Sequence, residues 1–268
     1  MGASIHRLPG PCVAAAADGD TVWCVARDRL VAFDAPGTQR RDAPIGAGVR
    51  SLAASGQMLV AVVEPGVIVW LDPESGTATQ RRPVGGTPVL VAGGGAVWAV
   101  DVGSGRAWRV ADAGAVLGPT IVADVDRAAA DGERLWWTSK RDAFLREGAR
   151  TVDLGVRRKE RGGLAVCAGS VWTSVAKGLL RVGAWKAELG TVVAAPAGPV
   201  PFLVCGAGVL VGGSRDGLFA LDPSVDADAR RLDADVGGDV GFLVAVRSAA
   251  WVFSRRRAQA RRIALRAG

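Results

Sequence analysis

Gly94-Gly95-Ala96-Val97-Trp98-Ala99-Val100 is the stretch on which the reading of this chain turns, because imperfect copies of it recur from one end to the other. Aligning the copies on the residue at the Trp98 position gives Trp23, Val60, Trp98, Trp136, Trp172, Leu210 and Trp251, at intervals of 37, 38, 38, 36, 38 and 41 residues. Running off the C-terminus from Trp251 and back in to Trp23 takes 40 more. A fixed period in this range marks a repeat architecture. Seven nearly equal units whose ends meet inside one of them describe a ring.

Each unit has the same internal order. An apolar run such as Val89-Leu90-Val91-Ala92 is followed by a Gly-containing turn, and a second apolar run then carries the Trp. A charged turn leads to a third run (Leu30–Asp34, Val67–Asp72, Leu218–Asp222), and a less apolar fourth segment closes the unit, as in Pro83-Val84-Gly85-Gly86. Short runs rich in Val, Leu and Trp between Gly, Pro and Asp read as strands joined by tight turns. Helical spacing is sustained nowhere. Four short strands per roughly 40 residues predict a propeller blade. The expected fold is therefore all-β: a seven-bladed β-propeller of four-stranded antiparallel blades. The second strand is covered by adjacent blades on both faces, so it reads as a continuous apolar run, and its Trp is expected to pack between blades.

The last unit runs through Phe242–Val246, Ala250–Phe253 and a third strand near Arg262–Leu265, then stops one strand short. Ser4–Gly10, which ends in Pro-Gly like other fourth strands, is expected to fill that place and remove an open edge. The chain is thus read as one propeller domain over residues 1–268, with blade 7 built from about residues 239–268 plus 3–10.

Gly94–Val100, Gly132–Thr138 and Ser170–Ser174, together with the turn Leu71-Asp72-Pro73-Glu74-Ser75-Gly76, carry a Gly-x-x-Val-Trp-x-Val pattern followed by an Asp-Pro-x-x-Gly turn. This wording resembles the YVTN and virginiamycin B lyase-like superfamily of seven-bladed propellers, over the whole chain but at scaffold positions. It does not resemble WD repeats, whose Gly-His and Trp-Asp pairs are missing. Lyases of the resembled family use magnesium and a histidine at the channel mouth. The one histidine here is His6, in the expected closing strand, so the resemblance hands on a fold and no catalytic residue.

The 49% hydrophobic content provides core material, yet no run approaches the roughly 20 apolar residues that span a membrane. Met1–Arg7 lacks the apolar stretch of a signal peptide, and a cytoplasmic protein is expected. Cys12, Cys24, Cys167 and Cys205 show no metal-ligand spacing. Cys167 and Cys205 each stand five residues before the position aligned with Trp98 and read as small buried thiols, with a cross-blade disulfide as the alternative. The net charge of +7 lies entirely in the last unit: residues 247–268 hold seven arginines and no acid, leaving 26 residues of each sign elsewhere.

A propeller's site is expected where loops gather at a channel mouth. Between second and third strands, and between units, the candidates are Arg50, Glu64, Asp101, Arg106, Asp126, Arg127, Lys140, Arg161, Lys177, Arg215 and Asp239. Both signs alternate, which suits a polar binding face. Arg255, Arg256 and Arg257 are anion-binding candidates, though no aromatic residues interleave with them as single-stranded nucleic acid would require. Tyrosine is absent, and so are the nucleophile-elbow, P-loop and dinucleotide motifs. The leading expectation is a non-catalytic binding scaffold for a protein partner or small polar ligand, with no cofactor or metal. Two alternatives accompany it. One is a metal-assisted lyase or hydrolase using Asp126, Asp239, Glu64 or Asp101. The other is an anion or nucleic-acid binder working through the seventh blade, where an acidic partner would also fit. No membrane partner is expected.

Overall fold

The computed structural model describes residues 3–34, 36–141, 144–155, 162–175, 178–183, 189–193, 200–206, 208–214, 217–224, 229–233, 240–254 and 256–265. After β1 (Ala3–Arg7), the strands come in fours. Blade 1 is β2 (Cys12–Asp18), β3 (Thr21–Ala26), β4 (Arg29–Asp34) and β5 (Gln39–Pro44). Blade 2 is β6 (Val49–Ser55), β7 (Met58–Val63), β8 (Val67–Leu71) and β9 (Ala78–Pro83). Blade 3 is β10 (Val89–Gly93), β11 (Ala96–Asp101), β12 (Arg106–Val110) and β13 (Val116–Ile121), with one 3-10 turn at Asp112–Gly114. Blade 4 is β14 (Val125–Asp131), β15 (Arg134–Ser139), β16 (Phe144–Glu147) and β17 (Arg150–Asp153). Blade 5 is β18 (Leu164–Cys167), β19 (Ser170–Val175), β20 (Gly178–Gly183) and β21 (Leu189–Val193). Blade 6 is β22 (Phe202–Gly206), β23 (Val209–Ser214), β24 (Gly217–Leu221) and β25 (Arg230–Asp233). Blade 7 is β26 (Val240–Val246), β27 (Ala249–Ser254), β28 (Gln259–Ala264) and, outermost, β1.

Closure of blade 7 is as expected, with Ala3 opposite Ile263 and Arg7 opposite Gln259 in an antiparallel ladder. The third strand of that blade begins three residues earlier than the sequence suggested. All seven sheets are antiparallel, and the first strands of consecutive blades stand side by side around an axis, β26 next to β2.

The recurring glycine has a local cause. Gly19, Gly56, Gly94, Gly132 and Gly169 sit in the turn between first and second strands with φ of 56°, 62°, 59°, 59° and 69°. Left-handed backbone is what tight hairpin turns demand, and glycine adopts it without a steric penalty.

The core is seven inter-blade layers, not one central mass. Trp23 packs with Leu52, Leu59 and Val69 of blade 2, and Trp98 with Leu135 and Trp137 of blade 4. Trp136 packs with Val171 and Val182 of blade 5, and Trp251 with Cys24 and Phe33 of blade 1. Every repeating Trp therefore faces the following blade, where burial of a large apolar side chain is worth roughly 1.5–3 kcal/mol. The indole N–H groups of Trp23, Trp136, Trp172 and Trp251 are buried without a protein acceptor. These side chains serve by shape and apolar area, as predicted.

Blade 6 corrects the alignment. Val209 opposes Gly206 across the turn, just as Ala96 opposes Gly93 in blade 3, so the Trp98 position falls on Val211 and not on Leu210. Side chains alternate faces along a strand, and a one-residue shift reverses them. Val211 points forward into the layer shared with blade 7, while Leu210 points back into the layer shared with blade 5. The same shift corrects the cysteines. Cys167 and Cys205 do not hold equivalent positions. They face each other across the layer between blades 5 and 6 and form a disulfide, with Cα atoms 5.4 Å apart. Cys12 and Cys24 remain buried free thiols in the layer between blades 7 and 1.

Candidate functional site

Each first strand runs from an upper face, which carries the links between blades and the loops between second and third strands, to a lower face of tight turns. Each is hydrogen-bonded within its sheet on one side only, so its other edge is turned to the axis. Small side chains leave room there. A cavity of about 460 Å³ is lined by the lower halves of these strands, including Ala15–Ala17, Leu52–Ala54, Ala128–Ala130 and Val244–Ala245. Among the described residues Asp131 is its one charged lining residue, and Arg134 Nη2 donates to Asp131 Oδ2 at 2.8 Å. Apolar side chains alternating with peptide dipoles make this channel a poor cage for a cation.

The candidate charges that the structure describes lie on the upper face. Arg50 is the extra residue of a β-bulge between Val49 and Ser51, and Asp126 occupies the matching bulge between Val125 and Arg127 in blade 4. Bulges re-aim side chains at the rims of sheets. Arg50 Nε donates to Glu64 Oε1 at 2.7 Å, joining two of the candidates as an exposed pair. Asp126 is half-buried and Arg127 exposed, and Arg127 Nη1 turns to the Asp126 carbonyl at 3.4 Å. Lys140 is half-buried, and its backbone N–H donates to the Asp124 carbonyl at 2.7 Å.

Asp101 is 5% exposed and works as a fastener. The Gly103 N–H donates to its Oδ1 at 3.0 Å. Burial by itself pushes the carboxyl up, but hydrogen bonds from the Ser104 hydroxyl and the Gly103, Ser104 and Thr87 backbone outweigh it and hold the group below its ordinary range. An acid fixed in its ionised form, with its oxygens occupied, has no proton to give. Arg106 is exposed at the start of β12 and lines a separate hollow between blades 2 and 3, away from the axis. Arg161, Lys177, Arg215, Asp239 and Arg255 lie outside the described residues. Arg256 and Arg257 are exposed in a loop whose backbone N–H groups donate to Ser254 Oγ at 3.2 and 2.6 Å.

Asp124 is a residue the sequence did not single out. It has φ of 60°, accepts from Ser139 Oγ at 2.8 Å and from the Arg141 N–H at 3.0 Å, and so ties the link entering blade 4 to the loop leaving β15. A non-glycine residue tolerated in the left-handed region is most often Asn or Asp, which was the available signal. His6 lies far from any mouth. Its ring stands 5.1 Å from that of Trp251 and 5.3 Å from that of Phe33, in the seam between blades 7 and 1. The turn aspartates hold turns: Asp34 Oδ1 accepts from Gly37 and Thr38 N–H groups, Asp72 from Ser75 and Asp222 from Ser224.

No protein-family model matches the chain, and no curated protein matches it. Solved structures do. Virginiamycin B lyase from Staphylococcus aureus superposes with a TM-score of 0.76 at 12% identity, over 99% of both chains. A chain of the Mitotic Checkpoint Complex gives 0.74 at 14% identity, over 98% of this chain and 94% of that one. YCF48 bound to D1 peptide gives 0.71 at 13% identity, over 98% and 97%. Identity at this level carries fold and nothing finer. The chain thus shares with these structures the fold of a β-propeller, here of seven blades.

Proposed function

We propose that this propeller is a non-catalytic binding scaffold whose polar upper face receives a protein partner. The observation that carries the reading is the state of the described candidates there. Asp101 is consumed by loop hydrogen bonds, Glu64 is paired with Arg50, and Asp126 and Arg127 remain as a rim of opposite charges without a histidine among them. Fixed charges of both signs on a rigid ring suit reversible recognition, while acid–base work needs a group that can exchange its proton near neutral pH. Fold neighbours that sit in a protein assembly or hold a peptide support the same direction. A small polar ligand at this face is the finer alternative.

A peptide library selected against the immobilised protein tests the proposal. Enriched peptides should lose binding when Arg50→Glu and Arg127→Glu are combined, and keep it when Arg134, on the lower face, is reversed. Binders indifferent to the upper-face change would overturn it. So would turnover of a lactone or ester panel abolished by Glu64→Gln or Asp126→Asn, which would favour the metal-assisted reading. Among the described residues no helix is long and apolar enough to cross a membrane. The cytoplasmic placement expected from the sequence now meets the Cys167–Cys205 disulfide, a bond that persists mainly in oxidising compartments. Thiol labelling in the native cell decides between the two.

A further inference from the structure

The outer strand of a blade normally protects its open edge with charge, and β5, β9, β17 and β25 follow that rule with Arg40, Arg41, Arg81, Arg82, Arg150 and Arg230 among their residues. β13 breaks it. Its sequence, Val-Leu-Gly-Pro-Thr-Ile, has no charged residue, and Leu117 and Ile121 are 51% and 68% exposed. Where its register slips between Ala107 and Arg109, Gly118 and Pro119 stand across from Trp108 and open a hollow of about 550 Å³ between blades 2 and 3. Trp108, 8% exposed, lines it together with Val84 and Pro119. Two arginines bound it: Arg106 at the upper end, and Arg82, whose Nε donates to the Gly114 carbonyl at 3.1 Å, at the lower. No acid lines it.

We propose that this lateral groove docks an extended acidic segment of a partner protein, one that alternates carboxylates with apolar side chains. The charge argument fixes the occupant. Two guanidiniums without a lining acid call for carboxylates, and Arg suits them by its planar fork of donors. The apolar floor of Trp108, Val84 and Pro119, with exposed Ile121 opposite Arg106 beside it, calls for apolar side chains between those carboxylates. An extended segment presents such residues on alternate faces and can run along β13, as peptides do on uncovered sheet edges. The groove lies on the flank of the ring, so this site stands independently of the upper face discussed above.

The test uses fluorescence anisotropy of a labelled decapeptide of alternating glutamate and leucine, with the lysine–leucine decapeptide and decathymidylate as competitors. The full-length protein should bind the acidic peptide, and Arg82→Glu combined with Arg106→Glu should weaken it by about tenfold or more. Ile121→Asp should weaken it as well, while Leu117→Asp, on the face turned to blade 4, should not, and Arg106→Lys should retain more binding than Arg106→Glu. Reversal of Arg256 and Arg257 provides a change of equal charge elsewhere and should leave binding intact. An equal loss from that distant reversal would reduce the effect to net charge and overturn the proposal. Indifference to Ile121→Asp, or displacement by decathymidylate as effective as by unlabelled peptide, would overturn it too. Circular dichroism of each variant separates lost binding from lost fold.

Discussion

Cys167 faces forward from blade 5, Cys205 faces back from blade 6, and their sulfurs are bonded across the layer between the blades. The bond closes a loop of 38 residues in sequence, one whole blade. Cross-linking such a loop restricts the unfolded chain and is worth about 2–4 kcal/mol. Cys167→Ser should lower the denaturant midpoint and steepen the slope, because the unlinked denatured chain exposes more surface, and a reducing agent should do the same to the unaltered protein. The variant should then be insensitive to the reductant. If reductant shifts both proteins equally, Cys12 and Cys24 or some other feature is responsible.

Removing residues 1–8 should leave the outer side of β28 unpaired, because β1 is its only partner there. An open strand edge recruits other chains. The truncated protein is expected to elute as oligomers or aggregate and to melt well below the full chain. Light scattering coupled to size exclusion checks this, and a monodisperse monomer of unchanged melting temperature would contradict the closure argument.

His6 makes the same seam sensitive to pH. Burial in the first place, and the positive charge of Arg262 in the second, hold its imidazole below the ordinary value of 6.5. The folded state thus prefers the neutral ring, and the unfolded state binds the proton more readily. The resulting stabilisation is complete above about 6.5 and is lost as pH falls through the depressed folded value. Asp18, raised by burial, acts with the opposite sign and in the carboxylate range. His6 is the sole histidine, so a melting temperature that falls with acidification just below neutrality should flatten in His6→Phe. A slope unchanged by that substitution would assign the effect elsewhere.

The blade count, the strand order and the closing strand were legible because each rests on a pattern longer than any single residue. Trp98 and its counterparts repeat at blade length, and the chain ends one strand short of a full set. Blade 6 misled because Leu210 and Val211 are both apolar and neither is Trp. Composition cannot distinguish them, whereas the hairpin register that sets their faces can. That one-residue ambiguity also left the disulfide as the alternative and buried thiols as the first reading, since two cysteines at equivalent positions would point the same way. The upper-face charges were located by loop logic, but their partners were not. Arg50 with Glu64, or Asp101 with Thr87, depends on which loops a bulge or a link brings together, and short-range sequence holds no record of that.

Asp124 and Asp126 offer the sharpest contrast between a structural and a candidate binding carboxylate, two residues apart on one strand entry. Asp124 accepts from Ser139 and from the Arg141 backbone while its own backbone sits in the left-handed region. Asp124→Ala loses both hydrogen bonds and places a side chain with no compensating contact at a positive φ, at a cost of about 1–3 kcal/mol. Asp124→Gly relieves the backbone but not the hydrogen bonds, so its cost should be smaller and still measurable. Asp126, half-buried at its bulge, should tolerate Ala within about 0.5 kcal/mol, as surface positions usually do. Its loss should instead appear in binding at the upper face. Chemical denaturation of the three variants orders them. If Asp126→Ala proves as damaging as Asp124→Ala, the bulge carboxylate is part of the scaffold and the upper-face proposal loses one of its charges.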